Sequence, residues 1–479
     1  MPKMPIASTV SRSTQSMFSN LLERIALTAT ETEPSIRAFR RTPARRARRL
    51  GAIILAIIAG FVARSSAADG PACFEKRLPN GVHLVVYADA SLPLACVDVW
   101  VRAGSVFEKP GEEGAAHFLE HMLFKGTPAN PRGRLDERIE NLGATLNAST
   151  SRDWAHFHTT VAPQHLSVAI DLLADALQNP LFEEEEMDRE RRVILSEIAG
   201  RRSDPTQFLD DELGPRLYGS HPYGRPIYAS AEAVSRIGPP VLRAFHNRNY
   251  VGGAMTVIVV GGVQPQQTLS VLERAFASVP EGAVPDWPEK PSPPDKPVVV
   301  DLPRAPDGSE WMILGFLGPG MDVPADVWAM DVLISVLVRQ SAGKLHDALV
   351  TQNKTAKAID VSFLTQKLPA RVTFTLVSEP GKTEENRAEI LRQLDAVGRE
   401  GVTEAEMEAA KRFLLGTYAF EVETAGGQAG SLGFYAVLSS IRDSLDYTSH
   451  ISAVAREDVR RVAARYLRPD RSVTVRMTQ

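Results

Sequence analysis

A proline-rich run divides this chain. Between Glu281 and Pro297 the sequence EGAVPDWPEKPSPPDKP holds six of the 33 prolines. Proline lacks the amide hydrogen that a helix interior or a central strand needs, so neither element can run through this stretch. It reads as an extended linker between folded halves. The signals on its two sides follow a similar order. Before it, Phe74 to Arg77 and Val82 to Tyr87 flank Pro79-Asn80-Gly81, a hairpin signal, and Leu94 to Val101 is a third strand. Helical periodicity predicts helices over Glu113 to Phe124, Leu135 to Leu142, Gln164 to Leu177 and Glu183 to Arg202. The acidic run Glu183 to Glu186 suits the amino end of the last of these. Thr256 to Val263 is a buried strand. After the linker come strands at Val298 to Leu302, Trp311 to Phe316 and Arg371 to Val377, with a helix over Val327 to Val338. The expected fold class is α+β: two related domains, residues 69–280 and 298–479, joined by the linker 281–297.

The first 68 residues follow a different logic. Arg40, Arg41, Arg45, Arg46, Arg48 and Arg49 precede the apolar run Leu50 to Ala63, and small residues follow at Ser65 to Ala68. Positive flank, short apolar core and small-residue exit describe a signal peptide over residues 40–68, preceded by an extension over residues 1–39. The run is short for the ~30 Å of hydrocarbon that a permanent span must cross. The expectation is an exported chain, periplasmic or extracellular, with no stable membrane span; a mitochondrial presequence is the rival reading. Net charge is -4, from 54 Lys+Arg against 58 Asp+Glu, which offers nothing to a nucleic acid. Cys73 and Cys96 are the only cysteines, too few for a cysteine-based zinc site. In an exported chain they could be bridged or stay free thiols.

The chemistry concentrates in HFLEHMLFKGT, where His117, Glu120 and His121 form His-x-x-Glu-His. On a helix, positions i, i+3 and i+4 share one face. Two imidazoles and a carboxylate suit Zn²⁺, which in catalytic sites takes three protein ligands and leaves a position for water. The order inverts the commoner His-Glu-x-x-His and is a zinc-peptidase signature. A solvated helix with surface histidines is the bland reading. Phe118, Leu119, Met122, Leu123 and Phe124 weigh against it, because buried imidazoles are costly unless paired or metal-bound. If Glu120 is the general base on a zinc-bound water, a third ligand is required. Glu190 and Glu197 share one face of the following acidic helix, and spacing alone leaves both open.

Four stretches go further: GSVFEKPGEEGAAHFLEHMLFKGT, LGATLNASTSRDWAHF, ERRVILSEI and HPYGRPIY. Through them the chain resembles the pitrilysin/insulinase-type inverted zinc peptidases, and most of all their mitochondrial-processing-peptidase-like branch. The resemblance runs from about Phe74 to the C-terminus and is stronger in the first half. It implies two α+β halves, each a mixed sheet with helices packed on one face, enclosing a chamber. It implies one Zn²⁺ per chain and puts the third ligand at Glu197, 76 residues after His121. It makes Glu190 a supporting carboxylate for a ligand histidine. A peptide or unfolded segment would add as a strand to the edge at Asn147, Ala148 and Ser149. His156, His158 and His221 keep ordinary readings, a packed strand face and a structural turn.

The second half departs from that pattern. Related sequences often supply an Arg and a Tyr that hold the substrate carbonyl. Trp328 to Pro380 contains no tyrosine, and Lys344 stands where an arginine is common. Gly252-Gly253-Ala254 also replaces an expected Asn-Ala. A homologous metal-free subunit could supply the missing clamp as a heterodimer, with a homodimer as the other arrangement, or Lys344 or His346 could serve. The expected function is zinc-dependent endopeptidase; the alternative is a non-catalytic, core-type assembly subunit of the same fold.

Overall fold

The computed structural model describes residues 71–305 and 307–478. The expected signal peptide and the extension before it lie outside the described residues. Among the described residues no helix is long and apolar enough to cross a membrane.

Two sheets organise the chain. The first is built from β1 (Ala72–Arg77), β2 (His83–Ala88), β3 (Ala95–Val101), β4 (Asn147–Thr150), β5 (Ala155–Val161) and β6 (Met255–Gly261), in the order β1-β2-β6-β3-β5-β4. The second holds β7 (Val298–Leu302), β8 (Glu310–Leu317), β9 (Ala356–Phe363), β10 (Arg371–Ser378) and β11 (Val473–Met477), in the order β7-β11-β8-β10-β9. Strands β2 to β6 and β7 to β11 correspond one for one. The first and last of each set run parallel (β2 with β6, β7 with β11), and the other pairs are antiparallel. This is the internal recurrence that the sequence pattern suggested. Residues 279–297 between the sheets carry no regular secondary structure.

Strand β3 explains its own sequence. Every residue of ACVDVWV is buried. Side chains alternate across a strand, so a strand covered on both faces reads as a continuous apolar run. Val97, Val99 and Val101 join the core formed with the helices Leu166–Gln178 and Pro265–Phe276 of the same half. Cys96 and Trp100 point the other way, into a core shared with the helix Ala425–Leu438 of the second half. The exchange is reciprocal. Leu209, Leu213 and Leu217 of the helix Pro205–Tyr218 pack on Ile313, Leu317, Val473 and Val475 of the second sheet. Each sheet therefore has its own helices on one face and a helix borrowed from the other half on the opposite face.

Two glycines mark close approaches. A Cβ at Gly433 would sit 2.0 Å from Trp100 Nε1, so this residue lets the borrowed helix reach the first sheet. A Cβ at Gly252 would sit 2.0 Å from the Asn80 carbonyl oxygen, in the β1–β2 turn. The Gly-Gly-Ala departure thus has a packing reason.

The two cysteines are free. Cys73 is exposed on β1 and Cys96 is buried on β3, with β2 and β6 between them. At about 4.8 Å per strand they stand roughly 14 Å apart, and a disulfide needs Cα atoms within about 7 Å. The bridge left open by the sequence is excluded, and burial pushes the Cys96 thiol up to about 12.

Candidate metal centre

The helix Ala115–Leu123 is buried along its whole length. Gly114 enters it with φ 92°, and the Glu108 carboxylate accepts hydrogen bonds from the Gly114 and Ala116 amides at 3.1 and 3.0 Å. Those bonds satisfy amide donors that a helix start leaves orphaned. Burial pushes the Glu108 carboxyl up to about 8 even so.

His117, Glu120 and His121 face one side of this helix, against the helix Glu184–Ser203. One ligand atom from each of His117, His121 and Glu197 lies within 4.8 Å of the others. Glu197 Oε2 stands 3.7 Å from Nε2 of His117 and 3.7 Å from Nε2 of His121. These gaps are too long for hydrogen bonds. Two ligands each about 2.1 Å from a tetrahedral zinc would stand roughly 3.4 Å apart. Nε2 of His121 and Oε2 of Glu197 are buried without a hydrogen-bond partner. Buried polar atoms with no partner are costly, and a cation among them removes the cost. The donor set fits zinc.

Glu190 reaches the same histidine from behind. Its Oε2 accepts from His121 Nδ1 at 3.0 Å, and its Oε1 pairs with Lys125 Nζ at 2.8 Å. A proton on Nδ1 leaves the Nε2 lone pair turned towards Glu197. Despite burial, the bonds to His121 and Lys125 hold the Glu190 carboxyl below the usual range. Burial, with His121 and Arg201 nearby, keeps His117 neutral, well below the ordinary imidazole value. Burial raises the Glu120 carboxyl, eased by His121, the Thr150 hydroxyl and His156.

Asn147, Ala148 and Ser149 lie on β4, which among the described residues is an edge strand of the first sheet and pairs only with β5. Its backbone is placed next to the metal-site helix. The histidines outside the motif keep their structural readings. His156 Nδ1 lies 3.1 Å from Asp98 and its ring stacks on Trp100 at 4.2 Å; His158 stacks on His156. His221 Nδ1 accepts from the Tyr223 amide within its turn. Lys344 Nζ is engaged by Glu406 at 2.6 Å, and His346 Nδ1, 3.8 Å from Asp347 Oδ1, makes no hydrogen bond.

Sequence reasoning missed several neighbours. Tyr228, in HPYGRPIY, meets the His117 ring edge-on with centroids 4.3 Å apart, and Arg201 lies 4.8 Å over the Tyr228 ring. No spacing rule singles out the tyrosine of this stretch. Lys125, four residues past His121, carries no motif signal of its own and is brought in by its pairing with Glu190.

Residues 84–231 match the family model described as "Insulinase (Peptidase family M16)". Residues 236–414 match "Peptidase M16 inactive domain". An uncharacterised zinc protease of Mycobacterium tuberculosis is 30% identical over 413 residues, covering 84% of this chain and 93% of the relative. The chain belongs to the insulinase family, peptidase family M16. A probable mitochondrial-processing peptidase subunit beta of Arabidopsis thaliana is 35% identical over 202 residues, 42% of this chain and 38% of that protein. The M16 fold is matched by a protease from Helicobacter pylori at TM-score 0.80 and 24% identity, over 85% of this chain and all (100%) of that one. The periplasmic protease PqqL from Escherichia coli matches at TM-score 0.69 and 18% identity, over 85% of this chain and 47% of that one.

Proposed function

We propose that this M16 chain is a zinc-dependent endopeptidase that binds one zinc ion through His117, His121 and Glu197. The observation that carries the reading is the convergence of three ligand atoms within 4.8 Å, with two of those atoms buried and unpartnered. Zinc bound there would supply a Lewis acid for a peptide carbonyl and for the attacking water. The protein's own groups divide the remaining work. Glu190 fixes the tautomer and tilt of His121. Glu120, one turn from His117 and not among the converging ligands, takes the proton from the attacking water and returns it to the leaving amine. The open edge of β4 pairs with the backbone of an extended peptide across Asn147, Ala148 and Ser149.

The second half offers no tyrosine between Trp328 and Pro380, and Lys344 is engaged by Glu406. The substrate carbonyl therefore lacks the clamp, and a homologous metal-free subunit would supply it. The relatives named as mitochondrial-processing peptidase beta subunits support a two-subunit arrangement. The basic flank and apolar run before residue 68, together with the likeness to a periplasmic protease, support export. The test is hydrolysis of an unstructured peptide by zinc-loaded protein, with and without the candidate partner. Zinc-dependent cleavage that Glu120→Gln abolishes supports the reading. A protein that binds no zinc and cleaves nothing with any partner returns the chain to a core-type assembly role.

A further inference from the structure

Beside the metal centre lies a cavity of about 40 Å³ whose walls include Thr150, Ser151, Arg152, Tyr228, Asp210 and Arg371. A water needs about 10–15 Å³ on this measure, so the space holds roughly three water-sized groups, the bulk of a carboxylate. Arg201 and Asp211 also line it, so three arginines face two aspartates and one positive charge is in excess.

The excess can be located. Arg201 is satisfied by Asp211 Oδ1 at 2.8 Å and Gln207 Oε1 at 3.2 Å. Arg371, on β10 of the second half, gives Nη2 to Asp210 Oδ2 at 2.7 Å, but its Nη1 is buried without a partner. Arg371 is only 8% exposed, so that donor is not solvated by bulk water. Arg152, 6% exposed, donates through Nε to the Tyr223 carbonyl at 2.8 Å. Burial and the neighbouring Arg371 push its guanidinium down to about 10. Two buried guanidinium groups from different halves thus share a small notch with an unused N–H donor. Buried charges of one sign are costly unless an opposite charge meets them. Planar guanidinium donors match a carboxylate best. Thr150 ends β4, and with Ser151 it lines the notch, so a peptide laid along β4 passes its mouth.

We infer that the Arg152–Arg371 notch is an anion-binding subsite that takes a carboxylate of the bound peptide. This rests on the peptidase reading for its substrate and deepens it. The carboxylate is either an acidic side chain or a C-terminal carboxyl group.

The test is binding, measured by fluorescence anisotropy on full-length chain carrying Glu120→Gln, so that hydrolysis does not enter. Three matched unstructured peptides are compared: one with Glu and an amidated end, one with Gln and an amidated end, and one with Gln and a free carboxyl end. A charge-assisted hydrogen bond predicts roughly tenfold or greater tightening for a carboxylate-bearing peptide over the neutral one. Preference for the Glu peptide assigns a side chain, and preference for the free end assigns the terminus. Arg152→Gln should flatten the preference. So should Arg371→Gln combined with Asp210→Asn, which avoids stranding the aspartate. Equal binding of all three peptides, binding of none, or a preference surviving both arginine changes would overturn the inference. Carboxylate preference without hydrolysis by the wild-type chain and its partner would sink the peptidase reading alone. Hydrolysis without the preference would sink the subsite alone.

Discussion

Glu190→Gln isolates the support for the metal centre from the centre itself. The substitution keeps the shape of a buried side chain but removes its charge. In the native arrangement one carboxylate serves two donors, accepting from His121 Nδ1 at 3.0 Å and pairing with Lys125 Nζ at 2.8 Å. An amide has one acceptor oxygen. If it accepts from His121, its NH₂ faces the Lys125 ammonium; if it turns over, two donors meet at Nδ1. Either way one contact becomes repulsive, and His121 keeps at best a neutral acceptor in place of the carboxylate that holds its tautomer. Loss of such a partner commonly weakens metal binding by about 10–100-fold, or about 1.4–2.8 kcal/mol. Because Glu190 is buried, the upper part of that range is expected. The assay is zinc affinity by competition with a chromophoric chelator at fixed pH. Lys125→Met, which leaves the His121 bond intact, should change affinity by less than about threefold if the His121 contact dominates. Affinity of the Gln variant within twofold of wild type would contradict a supporting role for Glu190, and so would a Lys125→Met effect as large as that of Glu190→Gln.

Other expectations rest on separate parts of the structure. Gly433→Ala drives a methyl into Trp100 at 2.0 Å and should cost about 1–3 kcal/mol of stability by urea unfolding; an unchanged midpoint would contradict the close packing of the borrowed helix. Denatured, unreduced protein should titrate with two free thiols, and native protein should leave Cys96 unreactive, since it is buried and its thiol is pushed up to about 12. Asp331 is raised by burial to about 7, against an unfolded value near 3.8, so the folded state holds the extra proton between those values. Stability linked to it is present below about pH 4 and is lost as pH rises towards 7. Asp331→Asn should therefore gain on wild type as pH is raised from 5 to 8 in urea unfolding, and a pH-independent difference would dismiss the linkage.

Much of the first half was legible because its elements carry strong local signals. The motif helix, expected over Glu113 to Phe124, forms at Ala115–Leu123, and the acidic run does open the helix Glu184–Ser203. The Asn-Gly hairpin and the apolar run of β3 were equally plain. The borrowed helices were not. Ala425–Leu438 carries glycine at 426, 427, 430 and 433, a composition that disfavours helix in isolation. It is helical because packing on β3 and β6 of the first sheet holds it, and Gly433 is required by the approach to Trp100. Strand β11 closes the second sheet from the far end of the chain, a long-range pairing that no local window reveals. At the centre, spacing placed His117, Glu120 and His121 on one face but could not choose between Glu190 and Glu197. The choice needs the distances: Glu190 stands at Nδ1 of His121, on the side away from Nε2, while Glu197 faces both imidazoles. Tyr228 and Arg371 carry no motif of their own; only the fold brings them near the site.

In the proposed centre His117, His121 and Glu197 hold the metal while Glu120 does not. The most direct test is the zinc-to-protein ratio of purified, zinc-loaded and dialysed protein, measured for wild type, His117→Ala, His121→Ala, Glu197→Gln and Glu120→Gln in parallel. The ratio should be close to one for wild type and for Glu120→Gln, and should fall strongly for the other three, which keep only two of the three ligands. Stoichiometric zinc retained by Glu197→Gln or His121→Ala, or zinc lost from Glu120→Gln in a folded protein, would contradict the assignment.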